Sequence, residues 1–141
     1  MNPLDKLSSL SAQLSQIYAQ WAKQYNLTLN ELRFLYHINA QGSCSPSEIG
    51  DKWSLPKQTV TSVCKQLSQK GFLRFSPDHK DKRAKRIELT PAGLAFTQPM
   101  IENLIRLEYQ ASADFDQEKI TLLLTEIERW QAMLNHYLNN Q

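Results

Sequence analysis

Residues 56–71 read Pro56-Lys57-Gln58-Thr59-Val60-Thr61-Ser62-Val63-Cys64-Lys65-Gln66-Leu67-Ser68-Gln69-Lys70-Gly71. Val60, Val63, Cys64 and Leu67 recur at i, i+3, i+4 and i+7, the spacing of one apolar helix face. The pattern predicts a helix from Pro56 to Lys70 that Gly71 closes. Its other face carries Lys57, Gln58, Thr59, Thr61, Ser62, Lys65 and Gln66, all small polar, amide or basic. Upstream, Ser45-Pro46-Ser47-Glu48 supplies a Ser cap, a Pro at the first helical position and a Glu that reaches back. The helix it opens is short, because Ser54-Leu55-Pro56 interrupts it. A short helix, a tight turn and a helix with polar and basic residues near its start form a helix-turn-helix.

Downstream the period changes from helical to alternating. Phe72-Leu73-Arg74-Phe75 is short and aromatic, and Arg86-Ile87-Glu88-Leu89-Thr90 alternates polar with apolar, so both read as strands. Residues 76–85, Ser76-Pro77-Asp78-His79-Lys80-Asp81-Lys82-Arg83-Ala84-Lys85, form the polar tip of a hairpin. A basic hairpin directly after a helix-turn-helix reads as a wing.

Further out, both ends of the chain are helical. Leu4, Leu7, Leu10, Leu14, Ile17 and Trp21 form a stripe along a helix from Pro3 to about Gln24, with Asn2 as its cap. Thr28-Leu29-Asn30-Glu31 is a capping box for a second helix that ends near Gly42. Thr90-Pro91 opens a helix with a bend expected near Pro99 and an end near Ala111. Asp116 caps a last helix whose stripe is Ile120, Leu123, Leu124, Ile127, Leu134 and Leu138, with Trp130 and Tyr137 alongside. The terminal stripes exceed what one small lobe can bury, so an isologous dimer is expected. Its interface is assigned to Leu7, Leu14, Trp21, Ile127, Leu134 and Leu138.

Charge is uneven. Residues 51–86 hold ten Lys or Arg against three Asp, a local +7, which leaves −5 for the remainder of a chain of net charge +2. A basic middle on an acidic scaffold suits a polyanion. A helix start offers unpaired N–H groups to phosphate. Side chains on its first turns reach base edges in the major groove. Lys57, Gln58, Thr59, Thr61, Ser62 and Lys65 are therefore the candidate reading residues. On the wing, Lys80, Asp81, Lys82, Arg83 and Lys85 are the candidates. Arg83 has the side chain for the narrow, electronegative minor groove, and Asp81 would orient it through a charge-assisted hydrogen bond.

Other functions find less support. At 141 residues, 41% hydrophobic and 21% charged, the composition is that of one globular domain. Apolar runs are too short to span a membrane, no leader pattern opens the chain, and two cysteines make no disulfide framework. A cytoplasmic, membrane-free protein is the expectation. Cys64 lies on an apolar stripe and reads as a buried hydrophobe. Cys44 precedes a helix cap whose dipole would lower its pKa modestly, which keeps thiol-based oxidation sensing as an alternative. His37, His79 and His136 have no His or Cys at i+3 or i+4, so no metal site is expected. No catalytic grouping is present, and no enzyme activity is expected.

The run Asp81-Lys82-Arg83-Ala84-Lys85-Arg86-Ile87-Glu88-Leu89-Thr90-Pro91-Ala92-Gly93 resembles the wing and following helix start of the MarR family of bacterial winged-helix regulators. The shared pattern is Asp, any residue, Arg, then Leu-Thr and a Gly three residues on. Thr59-Val60-Thr61, Leu67 and Lys70-Gly71 are similar to the family's recognition helix. Ser62 and Phe75 depart from it, since the family often has Arg at both positions. The resemblance implies a mainly α fold with a small β-hairpin wing, in one domain over residues 1–141. Residues 28–90 would form the DNA-binding lobe, and residues 3–24 and 91–138 the dimerisation helices. It further implies a homodimeric, ligand-responsive repressor on a pseudo-palindromic double-stranded DNA operator, with a small-molecule effector and no cofactor. A winged-helix protein adaptor that does not bind DNA is the alternative from another class.

Overall fold

The computed structural model describes residues 2–77, 80 and 85–141. Of the wing candidates, Asp81, Lys82 and Arg83 lie outside the described residues, as does His79. The chain divides into two compact units, Met1–Glu102 and Asn103–Gln141.

The first unit opens with α1 (Pro3–Ala22), capped by Asn2, whose side chain accepts from the Leu4 N–H. A 3₁₀ turn at Lys23–Tyr25 ends on Asn26 in the left-handed region, φ 59°. Helix α2 (Leu29–Gln41) starts on the capping box expected at Thr28 and Glu31, with both reciprocal bonds formed at 3.1 and 2.9 Å. The second expected box, Ser45 with Glu48, opens α3 (Pro46–Lys52). The turn to α4 (Lys57–Gln69) passes through Ser54 at φ 53°.

The sheet departs from the sequence reading. Three strands, not two, pair antiparallel in the order β1-β3-β2. β1 is the two-residue segment Ser43–Cys44, set against Glu88 and Ile87 of β3 (Lys85–Leu89). β2 runs Leu73–Pro77, so Ser76, Pro77 and Lys85 belong to the ladder and not to the hairpin tip. A two-residue strand is too short to show a period of two, and the ladder extends because its backbone bonds tolerate Ser and Lys at an exposed position.

The core of this unit gathers Phe34, Leu35 and Ile38 of α2, Cys44, Ile49 of α3, Leu67 of α4 and Ile87 of β3, all fully buried. Each large apolar side chain so placed contributes about 1.5–3 kcal/mol. Two glycines permit the close approaches that hold α4 and the β2–β3 hairpin. A Cβ on Gly50 would stand 2.8 Å from Val60 Cγ2, so Gly lets α3 pack directly on α4. A Cβ on Gly93 would collide with the Phe72 carbonyl oxygen. That carbonyl accepts from the Thr90 N–H at 3.0 Å, and Thr90 Oγ1 caps the following helix by accepting from the Gly93 N–H at 2.9 Å. The Leu-Thr-x-x-Gly run thus fastens β3, the end of α4 and the next helix at one point. Gly93→Ala is expected to cost at least about 1–3 kcal/mol, as overpacking does. Chemical denaturation with an unshifted midpoint would contradict this packing.

Helix α5 (Pro91–Ser112) continues through Pro99 without interruption. In the second unit, α6 (Gln117–Asn139) is capped by Asp116, which accepts from the Glu118 N–H, and none of its residues is buried. Among the described residues, no helix is long and apolar enough to cross a membrane.

Candidate nucleic-acid interface

Helix α4 buries Val60, Val63, Cys64 and Leu67, the face its spacing predicted. The rotation this imposes turns Lys57, Gln58, Thr61, Ser62 and Lys65 to solvent, with Thr59 half-buried. Five of the six reading candidates therefore share one exposed face, beginning at the first helical residue. The Thr61 hydroxyl donates to the Lys57 carbonyl at 3.0 Å, which leaves its lone pairs directed outward.

The ends of the helices differ in a way that bears on anions. Helices α1, α2 and α3 are each closed by a side chain on their first N–H groups, from Asn2, Thr28 and Ser45. Helix α4 follows Pro56, which supplies no side-chain cap, and has no acid in its first turn. Its leading N–H groups and positive dipole end are thus available to phosphate, with Lys57 beside them. An open groove of about 420 Å³ runs along this face, lined by Thr28, Asn30, Gln58, Thr59, Ser62, Val63 and Gln66. Thr28, the α2 cap, and Asn30, whose Oδ1 accepts from Arg33 Nη1 at 3.1 Å, join this groove only through the fold, so the spacing within α4 does not point to them.

At the base of the wing, Arg74 pairs with Glu88, its direct cross-strand partner, at 2.9 Å. Phe75 is exposed, and Lys85 Nζ stands 5.6 Å from its ring centroid. Lys85 is exposed, and so is Lys80. Lys70 ties the end of α4 to the start of α2: its ammonium pairs with the buried Glu31 carboxylate at 2.9 Å and donates to the Asn26 carbonyl at 2.9 Å.

Two sequence expectations need correction. Cys44 does directly precede the Ser45 cap of α3, but it lies in β1 and is fully buried, so the expected lowering of its pKa does not occur. Burial, with the Glu48 carboxylate adding to it, pushes the thiol up to about 11, whereas a dipole-activated thiol would fall. Burial likewise pushes Cys64 up to about 11. Neither is the partly exposed, electropositive thiol that oxidation sensing requires. Second, His37 does have ligand-type neighbours: its ring lies beside Cys44 and Glu48, with donor atoms all within 4.8 Å of one another.

The assigned interface residues of the terminal helices are uneven in exposure. Leu7, Trp21 and Ile127 are half-buried, while Leu14, Leu134 and Leu138 are 57%, 40% and 59% exposed.

The family model described as MarR family matches residues 27–85. The HTH-type transcriptional regulator PecS of Dickeya dadantii is 28% identical over 96% of this chain and 81% of its own length. The HTH-type transcriptional regulator Hpr of Bacillus pumilus is 36% identical over 61% of this chain and 42% of its own length. The chain spans less than half the length of the Hpr relatives it matches. Among solved structures, a MarR family regulator from Neisseria meningitidis superposes with a TM-score of 0.86 at 29% identity, covering 99% of this chain and 98% of that one.

Proposed function

We propose that the chain is a MarR-family protein, on the family model that matches residues 27–85 and the likeness to the Neisseria meningitidis regulator, and that it is a sequence-specific DNA-binding regulator of transcription. It acts as a homodimer, represses from a pseudo-palindromic operator and is released by a small molecule. It has no catalytic role. The observation that carries this reading is the α4 surface: an uncapped helix start followed by exposed Lys57, Gln58, Thr61, Ser62 and Lys65. In the major groove, amide and hydroxyl side chains distinguish bases, while lysines and the helix start hold phosphates and set register. Where the family often has Arg, this chain has Ser62 and Phe75. Ser62 therefore offers one short hydroxyl contact, and Phe75 supports Lys85 in place of a phosphate contact.

The two classes of residue separate experimentally. With a duplex selected from a random pool, Gln58→Ala or Thr61→Ala should relax base preference at the cost of about 1–3 kcal/mol on the best site. Lys65→Ala should weaken binding to selected and random duplexes alike and reduce the salt dependence. Identical behaviour of both classes on both duplexes would remove α4 as the reading element.

A further inference from the structure

The sequence spacing hides a cluster that the fold assembles. His37 near the end of α2, Cys44 in β1 and Glu48 in α3 are separated by seven and four residues, and they meet because the chain turns from helix to strand to helix. We propose that these three side chains form a binding site for a zinc-class divalent cation, held by an imidazole nitrogen, a thiolate and a carboxylate oxygen.

The donor atoms already face one another, all within 4.8 Å. His37 Nε2 stands 3.8 Å from Glu48 Oε2, beyond hydrogen-bond length. The same Nε2 is buried and makes no hydrogen bond. A buried ring nitrogen without a partner costs free energy, and a cation would satisfy it. Around tetrahedral zinc, nitrogen and oxygen ligands at about 2.0–2.2 Å lie about 3.3 Å apart, so the pair need close by only about half an ångström.

The donor set selects the ion class. Thiolate and imidazole favour zinc and its soft neighbours over magnesium or calcium, which take oxygen ligands. One thiolate and one carboxylate balance the two positive charges. The Arg86 guanidinium opposes the cation from the strand side, where it is bonded to Ser43 Oγ and its carbonyl oxygen. Binding transfers the Cys44 thiol proton to solvent and leaves the sulfur as a ligand. Glu48 can serve without losing its cap: Oε1 accepts from the Ser45 N–H at 3.5 Å, and Oε2 is the atom facing His37. The His37 side chain is 12% exposed and that of Glu48 49%, so Glu48 is the entry side and water completes the coordination.

This inference stands apart from DNA binding and is tested without it. Cobalt(II), followed by zinc(II), is titrated into the full chain under a non-thiol reductant while absorbance is recorded. One cobalt per chain is expected, with a thiolate-to-metal charge-transfer band and the visible bands of four-coordinate cobalt, both lost when zinc displaces it. Cys44→Ser should abolish the charge-transfer band, and Cys64→Ala should leave it intact. Glu48→Gln keeps a side-chain oxygen to accept from the Ser45 N–H and therefore the cap, and should lower cobalt affinity at least tenfold. It decides the matter if Cys44→Ser does not fold. Absence of the band in the unaltered chain, its survival in Cys44→Ser, its loss in Cys64→Ala, or unchanged affinity in Glu48→Gln would each overturn the site.

Discussion

Replacing Leu134 by Lys is expected to split the protein into monomers and to abolish DNA binding with the same substitution. Helix α6 spans 23 residues, and none is buried. Leu123, Trp130, Met133, Leu134, Tyr137 and Leu138 are all at least 40% exposed on it. On α1, Leu10, Leu14 and Ile17 are 48–64% exposed. On each helix by itself, exposed apolar residues at helical spacing mark an interaction face. In a two-fold dimer each substitution enters the interface twice, so two ammonium groups would lose water without gaining partners. Dimer dissociation should rise at least hundredfold, about 2.8 kcal/mol. Sedimentation of the unaltered chain should give a dimer at micromolar concentration, and Leu134→Lys a monomer. Because two half-sites must be held together, operator affinity should collapse in parallel. A monomeric unaltered chain that binds its operator tightly would contradict this.

The second large effect is expected at the wing. Arg83 lies outside the described residues, and its assignment rests on the sequence: a guanidinium between Lys82 and Lys85 in a basic hairpin, at the position of the Arg in the Asp-x-Arg pattern. A dimer would set two wings on the duplex, flanking recognition helices about one helical turn apart, ~34–36 Å. Arg83→Ala should therefore remove two groove contacts and lower operator affinity at least tenfold, about 1.4 kcal/mol. Arg83→Lys should recover only part, because an ammonium lacks the planar fork. Asp81→Ala tests the orienting role by its sign. Weaker binding means that Asp81 positions Arg83, and tighter binding means that its charge only repels phosphate. Operator affinity unchanged in Arg83→Ala would remove the wing from the interface.

Much of the lobe is legible because its signals are local. The boxes at Thr28/Glu31 and Ser45/Glu48 each involve residues three apart, and the structure forms both. The α4 face follows from one helical period, which is why its exposed candidates fall together. Features that depend on contacts between distant segments are not visible in this way. β1 has two residues and is a strand only because β3 lies beside it. The direction of the Cys44 shift is set by burial, which a position next to a helix cap does not reveal. The cluster of His37, Cys44 and Glu48 crosses three elements, so no ligand spacing along the chain announces it. The sequence signal of the open start of α4 is Pro56, which cannot cap with a side chain, beside the capped starts of α1, α2 and α3.

The central claim is that the basic, uncapped α4 and its wing bind duplex DNA as a two-fold pair. The most direct test is equilibrium titration of a selected duplex by anisotropy at 50 and 200 mM salt, with stoichiometry measured at the lower concentration. Two chains per duplex are expected, and affinity should fall about 10³-fold or more between the two salts if about six phosphates are neutralised. No binding at the lower salt, or binding that salt does not weaken, would contradict it.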